Sequence, residues 1–298
     1  MSTLRFILSA IFFIFAGYNL TAIAQTRGDA IERTAPAETS ITSKQVMRDR
    51  WAKSVQSKTL TREILNDASS HPEAGGWLFL QQFGHFCATV EESRAVGTSR
   101  ARLDVNHVNF HATVVAGERL DRMCDSLSQE ERKTYQNWTE SASVAFSVGR
   151  RDPYLDSLRE LRQANTPNTR RLAVHDALIH FDPVHLHMLL RPHPKKGIWF
   201  NGRWHAFNNE DYAAETLLYA KSLAECAFGI SCDADDLNIA QRCMNDPSYC
   251  KISSRLDLIA RIIETDGRPA SILTNVQRTS KLIIDAIQRR QVDAFVAP

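Results

Sequence analysis

The sequence predicts an all-α fold: a disulfide-stapled array of helical hairpins with one small β-hairpin near residues 198–206. Three observations lead there. Apolar residues recur at three- and four-residue spacing through most of the chain. Six cysteines follow an export signal, at spacings that do not suit a metal. One short stretch, "GIWFNGRWHAF" (197–207), departs from the helical period.

The elements follow in order. Val46, Trp51 and Val55 recur at helical spacing, and Leu60, Ile64 and Leu65 continue on a second short helix. In "EAGGWLFLQQFGHFCATVEE", Trp77, Leu80, Gln81, Gly84 and Cys87 or Ala88 share a stripe. A long helix is expected over 98–127, with Leu103, Phe110, Val114, Leu120, Cys124 and Leu127 inward. Ser128 and Glu131 have capping-box spacing, which opens the next helix. Asp152 and Pro153 are an N-cap and N1 pair, placing Tyr154, Leu158 and Leu161 inward. Asp182 and Pro183 repeat the signal and open "VHLHMLLR". In the exceptional stretch, Asn201 and Gly202 both tolerate the positive φ of a type I′ turn. Trp199 and Trp204 of that hairpin are expected to cover the helices. Helix resumes near 209 and stops at Gly229, a C′ residue. A short helix spans 236–243. Two more carry Ile252, Leu256, Ile259 and Ile263, then Ile272, Val276, Ile283 and Ile287, with the stop signal "TDGRP" between them.

The first 24 residues read as a secretory signal peptide. Arg5 precedes the apolar run "FILSAIFFIFAGYNL", and Ala22 and Ala24 sit at the two positions a signal peptidase reads. Residues 25–43 are polar and read as a flexible leader. Residues 44–298 read as a single helical domain with a candidate subdomain boundary near 193–208. No later apolar run has the length of a spanning helix, so no stable membrane span is expected once the signal is removed. Hydrophobic residues at 43% and charged residues at 23% suit a globular chain. Loss of Arg5 takes the formal charge from +2 to +1, which gives no overall field that would favour nucleic acid or an anionic membrane.

Export decides how the cysteines read, because disulfides persist outside the cytoplasm. Cys226, Cys232, Cys243 and Cys250 have no C-x2-C knuckle for zinc and no redox C-x-x-C. Six cysteines make three disulfides. Cys87 and Cys124, each late on its helical stripe, are expected to pair. Helical placement of Cys226 and Cys243 favours Cys226–Cys243 with Cys232–Cys250. The nested pairing competes, since spacing alone does not fix connectivity.

With the cysteines placed, the chain resembles an uncharacterised family of exported helical proteins from proteobacteria. The residues that carry this are "AGGWLFLQQFGHFC" (74–87) with Cys124, "AAETLLYAKSLAECAFGISC" (213–232) with Cys243 and Cys250, and "LIIDAIQRRQVDAF" (282–295). The resemblance implies an all-α, disulfide-stapled exported protein and carries over no activity and no catalytic residue.

Candidate chemistry gathers in "VHDALIHFDPVHLH", with His175, Asp176, His180, Asp182, His185 and His187. Imidazole and carboxylate suit a transition metal. The spacing argues against one, because His185 and His187 point about 200° apart on a helix and Asp182 is already used as a cap. Asp104, His107 and His111 would share a helical face, but "HVNFH" lacks the glutamate of H-E-x-x-H. No serine-hydrolase elbow and no phosphate-binding glycine fingerprint occurs. Glu91, Glu92, Asp235 and Asp236 are carboxylates of a solvated helix surface. No cofactor is expected. The reading that results is an exported, periplasmic or secreted, non-catalytic binding or envelope protein whose partner is another envelope protein. The alternative is a metal-dependent hydrolase using the weak ligand candidates His107, His111, His180, Asp182 and His185.

Overall fold

The computed structural model describes residues 38–56, 60–96, 105–136, 150–193, 196–207 and 212–298. The expected signal peptide, Leu103 and Asp104 lie outside them. Residues Glu38–Pro298 form one compact unit, all-α apart from one two-stranded hairpin. Among the described residues no helix is long and apolar enough to cross a membrane.

The N-terminal elements are α1 (Glu38–Gln56), α2 (Arg62–Ser70), α3 (Gly76–Val96), α4 (Phe110–Cys124) and α5 (Gln129–Gln136). Helix α1 begins within the stretch expected as leader. Trp51, Leu65, Phe83, Cys87, Leu120, Cys124 and Leu127 form a shared core. The Trp51 indole N–H donates to the Asp67 carboxylate at 2.7 Å and ties α1 to α2. Val46, expected inward, is 62% exposed. The Ser128–Glu131 capping box is present: the Glu131 N–H donates to Ser128 Oγ at 3.2 Å, and the Ser128 N–H to the Glu131 carboxylate at 2.8 Å.

Of the long helix expected over 98–127, residues 98–104 lie outside the described residues, and α4 starts at Phe110. Before it, residues 105–109 turn. The Asn109 N–H donates to His107 Nδ1 at 3.1 Å, and its side chain donates to the Pro247 carbonyl at 3.2 Å. This local side-chain bonding competes with the helical ladder. The buried stripe of α4 is then Thr113, Gly117, Leu120 and Cys124, which leaves Val114 exposed.

The second core is built by α6 (Pro153–Gln163), α7 (Pro167–Ile179), α8 (His185–Leu189), β1 (Ile198–Phe200), β2 (Arg203–His205), α9 (Ala213–Ala224), α11 (Arg255–Thr265) and α12 (Ser271–Gln288). Leu161, Val174, Leu186, Ile198, Leu217, Ile283 and Phe295 meet in it, so residues on both sides of 193–208 share one core. Helix α9 packs along α12. Asp152 caps α6 as expected, accepting from the N–H groups of Tyr154 and Leu155, and reaches across to the Leu78 N–H at 2.9 Å.

The hairpin has the expected turn, with Asn201 at φ 49° and Gly202 at φ 84°. Its inner face differs from expectation. Ile198, Phe200 and His205 are buried, and Phe200 packs on Phe295 at 5.7 Å between ring centroids. Trp199 and Trp204 are directly opposed in the register. Side chains alternate along a strand, so burying Ile198 and Phe200 turns both indoles to the other face, where they meet edge to face at 5.5 Å.

Cys87 pairs with Cys124 as expected. The C-terminal four pair sequentially, Cys226–Cys232 and Cys243–Cys250, which corrects the crossed arrangement. The chain turns back sharply after each first cysteine. A 3-10 turn, Glu225–Phe228, ends at Gly229 with φ 91° and returns Cys232 to Cys226. Asp246 and Pro247 start another 3-10 turn that returns Cys250 to Cys243. Between the two loops, α10 (Leu237–Asn245) leaves the second core and packs on α4, placing Ala240 and Met244 in the first. The segment is a strap between the cores, and each staple is local to one bend of it.

Candidate functional site

Two polar clusters concentrate the chemistry. The first contains the expected candidates His180, Asp182 and His185. Asp182 does not open a helix through its N1 proline as expected. Its carboxylate accepts from the Val184 N–H at 3.0 Å, one residue before α8, and from Gln82 at 3.1 Å. It also receives the Arg48 guanidinium, which lies 4.0 Å over the Tyr154 ring. His185 is fully buried. The Asp182 N–H donates to its Nδ1 at 3.0 Å. That assignment leaves the Nε2–H to donate to Ser157 Oγ at 2.9 Å or to the Tyr154 carbonyl at 3.0 Å. Burial lowers the His185 pKa, against the pull of Asp182. His180 caps the end of α7 with its ring edge-on to Tyr154.

Ser157, His185 and Asp182 have the composition of a nucleophile triad, but Nδ1 of His185 meets the Asp182 backbone N–H and carbonyl, both at 3.0 Å, and not the carboxylate, which is held by Arg48, Gln82 and the Val184 N–H. The Ser157 hydroxyl donates to the Tyr154 carbonyl at 2.9 Å, so its proton is already engaged by the backbone and not by the imidazole, whose Nε2 lies 2.9 Å from the same oxygen. Activation requires a base that accepts from the nucleophile. Ser157 has no solvent-accessible surface. This cluster locks the start of α6 to α8.

The second cluster was missed in the sequence, apart from His187 and Asp236. Lys221 is 5% exposed on the inward stripe of α9. It donates to His187 Nδ1 at 2.9 Å. His187 Nε2 lies 3.5 Å from Glu225. Arg255, 2% exposed, donates to Glu225 at 3.2 Å, to Ser222 Oγ at 2.8 Å and in a two-pronged contact to Asp236. Asp236 also caps α10 through the Asn238 N–H at 2.8 Å. Burial lowers the Lys221 pKa and raises that of Glu225, and in each case the opposite charge counters it. The His187 pKa is pushed down by desolvation and by the Lys221 charge. Half of this side chain meets solvent, so the ammonium bonded at Nδ1 is the stronger reason for its neutrality. Two cations, Lys221 and Arg255, thus face two carboxylates, Glu225 and Asp236. The network fastens α9, the strap and α11 together.

His107 precedes α4 and His111 lies exposed on its first turn, so they do not share the helical face expected of them. Glu91 and Glu92 are exposed, Asp235 pairs with Arg119 at 3.1 Å, and Asp236 is buried rather than solvated. Among the described residues no group of three or more His, Cys, Asp or Glu side chains is placed to hold a metal ion. Comparison with protein-family models, curated proteins and solved structures finds no match to this chain.

Proposed function

We propose that the chain is an exported, non-catalytic binding protein of the cell envelope, periplasmic or secreted. The observation that carries the reading is the use made of its reactive side chains. Ser157, His185, Asp182, Lys221, Glu225, Arg255 and Asp236 all bond to other parts of the fold. Pairing of all six cysteines supports an oxidising compartment, as does the N-terminal signal pattern. The resemblance to exported helical proteins points the same way.

Fractionation of the native host, N-terminal sequencing and alkylation of the unfolded, unreduced protein test the reading together. A chain outside the cytoplasm, starting at Gln25 with no alkylated cysteine, is expected. A cytoplasmic pool still carrying Met1 and free thiols overturns export. A stoichiometric metal, lost with a fall in melting temperature in His180→Ala or His111→Ala, replaces binding with metal-dependent hydrolysis.

A further inference from the structure

The three bridges differ in what a reagent in solvent can reach. Cys87 and Cys124 are enclosed by the first core. Cys243 is also buried, and α4 seats its bridge: Cys243 Sγ lies 3.6 Å from the Ala112 carbonyl, and Thr113 Oγ1 lies 3.4 Å from Cys250 Sγ. Cys226 and Cys232 are both half-buried, on a bend whose Ala227 and Gly229 are exposed. A Cβ placed on Gly229 would meet no atom within 4 Å, so the tip of the bend opens to solvent. The same bend is a junction. The Gln56 side chain, at the end of α1, donates to the Gly229 carbonyl at 2.8 Å. Phe228 meets Phe181 edge to face, with 4.8 Å between ring centroids. The Arg255 backbone N–H donates to the Cys232 carbonyl at 2.8 Å. That N–H belongs to the first residue of α11, where a helix offers it no partner of its own. Glu225, immediately before Cys226, accepts from the Arg255 guanidinium at 3.2 Å.

We propose that the Cys226–Cys232 bridge is a redox-sensitive catch. An external dithiol reduces it in the folded protein, and its opening releases the bend from α1 and α11 while the other two bridges stay closed. A thiolate of the dithiol attacks one of the two sulfurs and forms a mixed disulfide, and the other cysteine leaves as a thiolate that takes up a proton. The second sulfur of the dithiol then displaces the remaining cysteine, which is protonated in turn. The bridge gains two electrons and two protons, and the dithiol becomes a disulfide. Attack requires access to sulfur, which this bridge offers and the other two withhold. The fold survives the opening because α10 stays packed on α4 and Cys243–Cys250 still shapes its far end. What is lost is the closed six-residue separation that aims Gly229 at Gln56 and Cys232 at Arg255.

The test is a titration of the purified, oxidised chain with dithiothreitol in the absence of denaturant. Alkylation and peptide mapping report which cysteines open, and amide hydrogen exchange followed by NMR reports the junction. Cys226 and Cys232 are expected to be alkylated first and as a pair, with the other four labelled only after urea is added. Once the bridge opens, the Arg255 amide should exchange about tenfold faster or more, with the helical circular dichroism retained. Reoxidation should restore slow exchange. Cys226→Ser with Cys232→Ser should show the fast Arg255 exchange without reductant and no further response to dithiothreitol. Reduction of another bridge first or at the same dose overturns the proposal, as does resistance of all three bridges short of unfolding. An opening that changes Arg255 exchange by less than about twofold overturns it as well. If the double variant does not fold, the titration of the parent chain decides alone.

Discussion

Replacing Cys87 and Cys124 together by alanine is expected to destabilise the protein far more than replacing either C-terminal pair. The three bridges close loops of different length. Cys87 and Cys124 are 37 residues apart, Cys226 and Cys232 are 6, and Cys243 and Cys250 are 7. On the chain-entropy account, a bridge stabilises by restricting the unfolded chain. The longest loop then contributes about 3.9 kcal/mol and each short one about 2.4 kcal/mol. Burial widens the gap. Cys87 is 0% exposed and Cys124 3%, both inside the first core, so removing two sulfurs also leaves a small void there.

The assay is equilibrium unfolding in urea. The Cys87→Ala/Cys124→Ala variant should lose about 4 to 5 kcal/mol. Its m-value should rise, because the released chain exposes more surface. Cys243→Ala/Cys250→Ala should lose about half as much. If the short bridge costs as much as the long one, loop entropy does not set the order and the reasoning fails. A loss below about 1 kcal/mol for the long bridge refutes it outright.

Arg255→Ala leaves Asp236 buried without its fork and is expected to cost about 3–5 kcal/mol in urea unfolding; Arg255→Lys should rescue little, because an ammonium cannot reproduce the two-pronged contact. Burial pushes the Asp152 carboxyl up to about 6 despite three backbone N–H donors. Because the folded pKa lies above the unfolded value near 3.9, its contribution is complete below pH 4 and is lost as pH rises toward 6, by about 3 kcal/mol. The difference in stability between the parent and Asp152→Asn across pH 3–7 should show that slope, and a flat difference contradicts it. Gly76→Ala should prevent native packing at the start of α3, since a Cβ there would lie 1.9 Å from the Ala68 carbonyl oxygen. Gly202→Ala, with no atom within 4 Å of its Cβ, should cost only about 1 kcal/mol of positive-φ strain by thermal melts.

The helical elements were legible where an apolar stripe and a cap agreed. Asp152 with Pro153, Ser128 with Glu131, and Ile272, Val276, Ile283 and Ile287 all act as the spacing indicated. Failures occurred where side chains bond to the backbone out of register. His107 and Asn109 delay α4, and Asp182 makes a turn before α8. The second polar cluster did leave a trace. Lys221 falls on the stripe of Leu217, Ala220 and Ala224, and Arg255 lies four residues before Ile259. A charge on an inward stripe implies a buried partner, but which partner depends on how α9, the strap and α11 cross. Disulfide connectivity was equally closed to spacing, because the turns at Gly229 and at Asp246–Pro247 decide it.

Those turns also explain why two covalent bridges sit in one strap without linking it to anything else. The strap reaches the first core through non-covalent contacts alone. Ala240 and Met244 enter that core, the Asn109 side chain donates to the Pro247 carbonyl, and Arg119 pairs with Asp235. Arg255 and Asp236 hold it to the second core from the other side. Such contacts are effective only if the strap keeps the bends that aim them. A short disulfide contributes less to global stability than a long one, and it also removes local freedom at its own bend. The bridges at Cys226–Cys232 and Cys243–Cys250 therefore set the geometry at each end of α10, and the long Cys87–Cys124 bridge sets the stability of the core on which α10 lands.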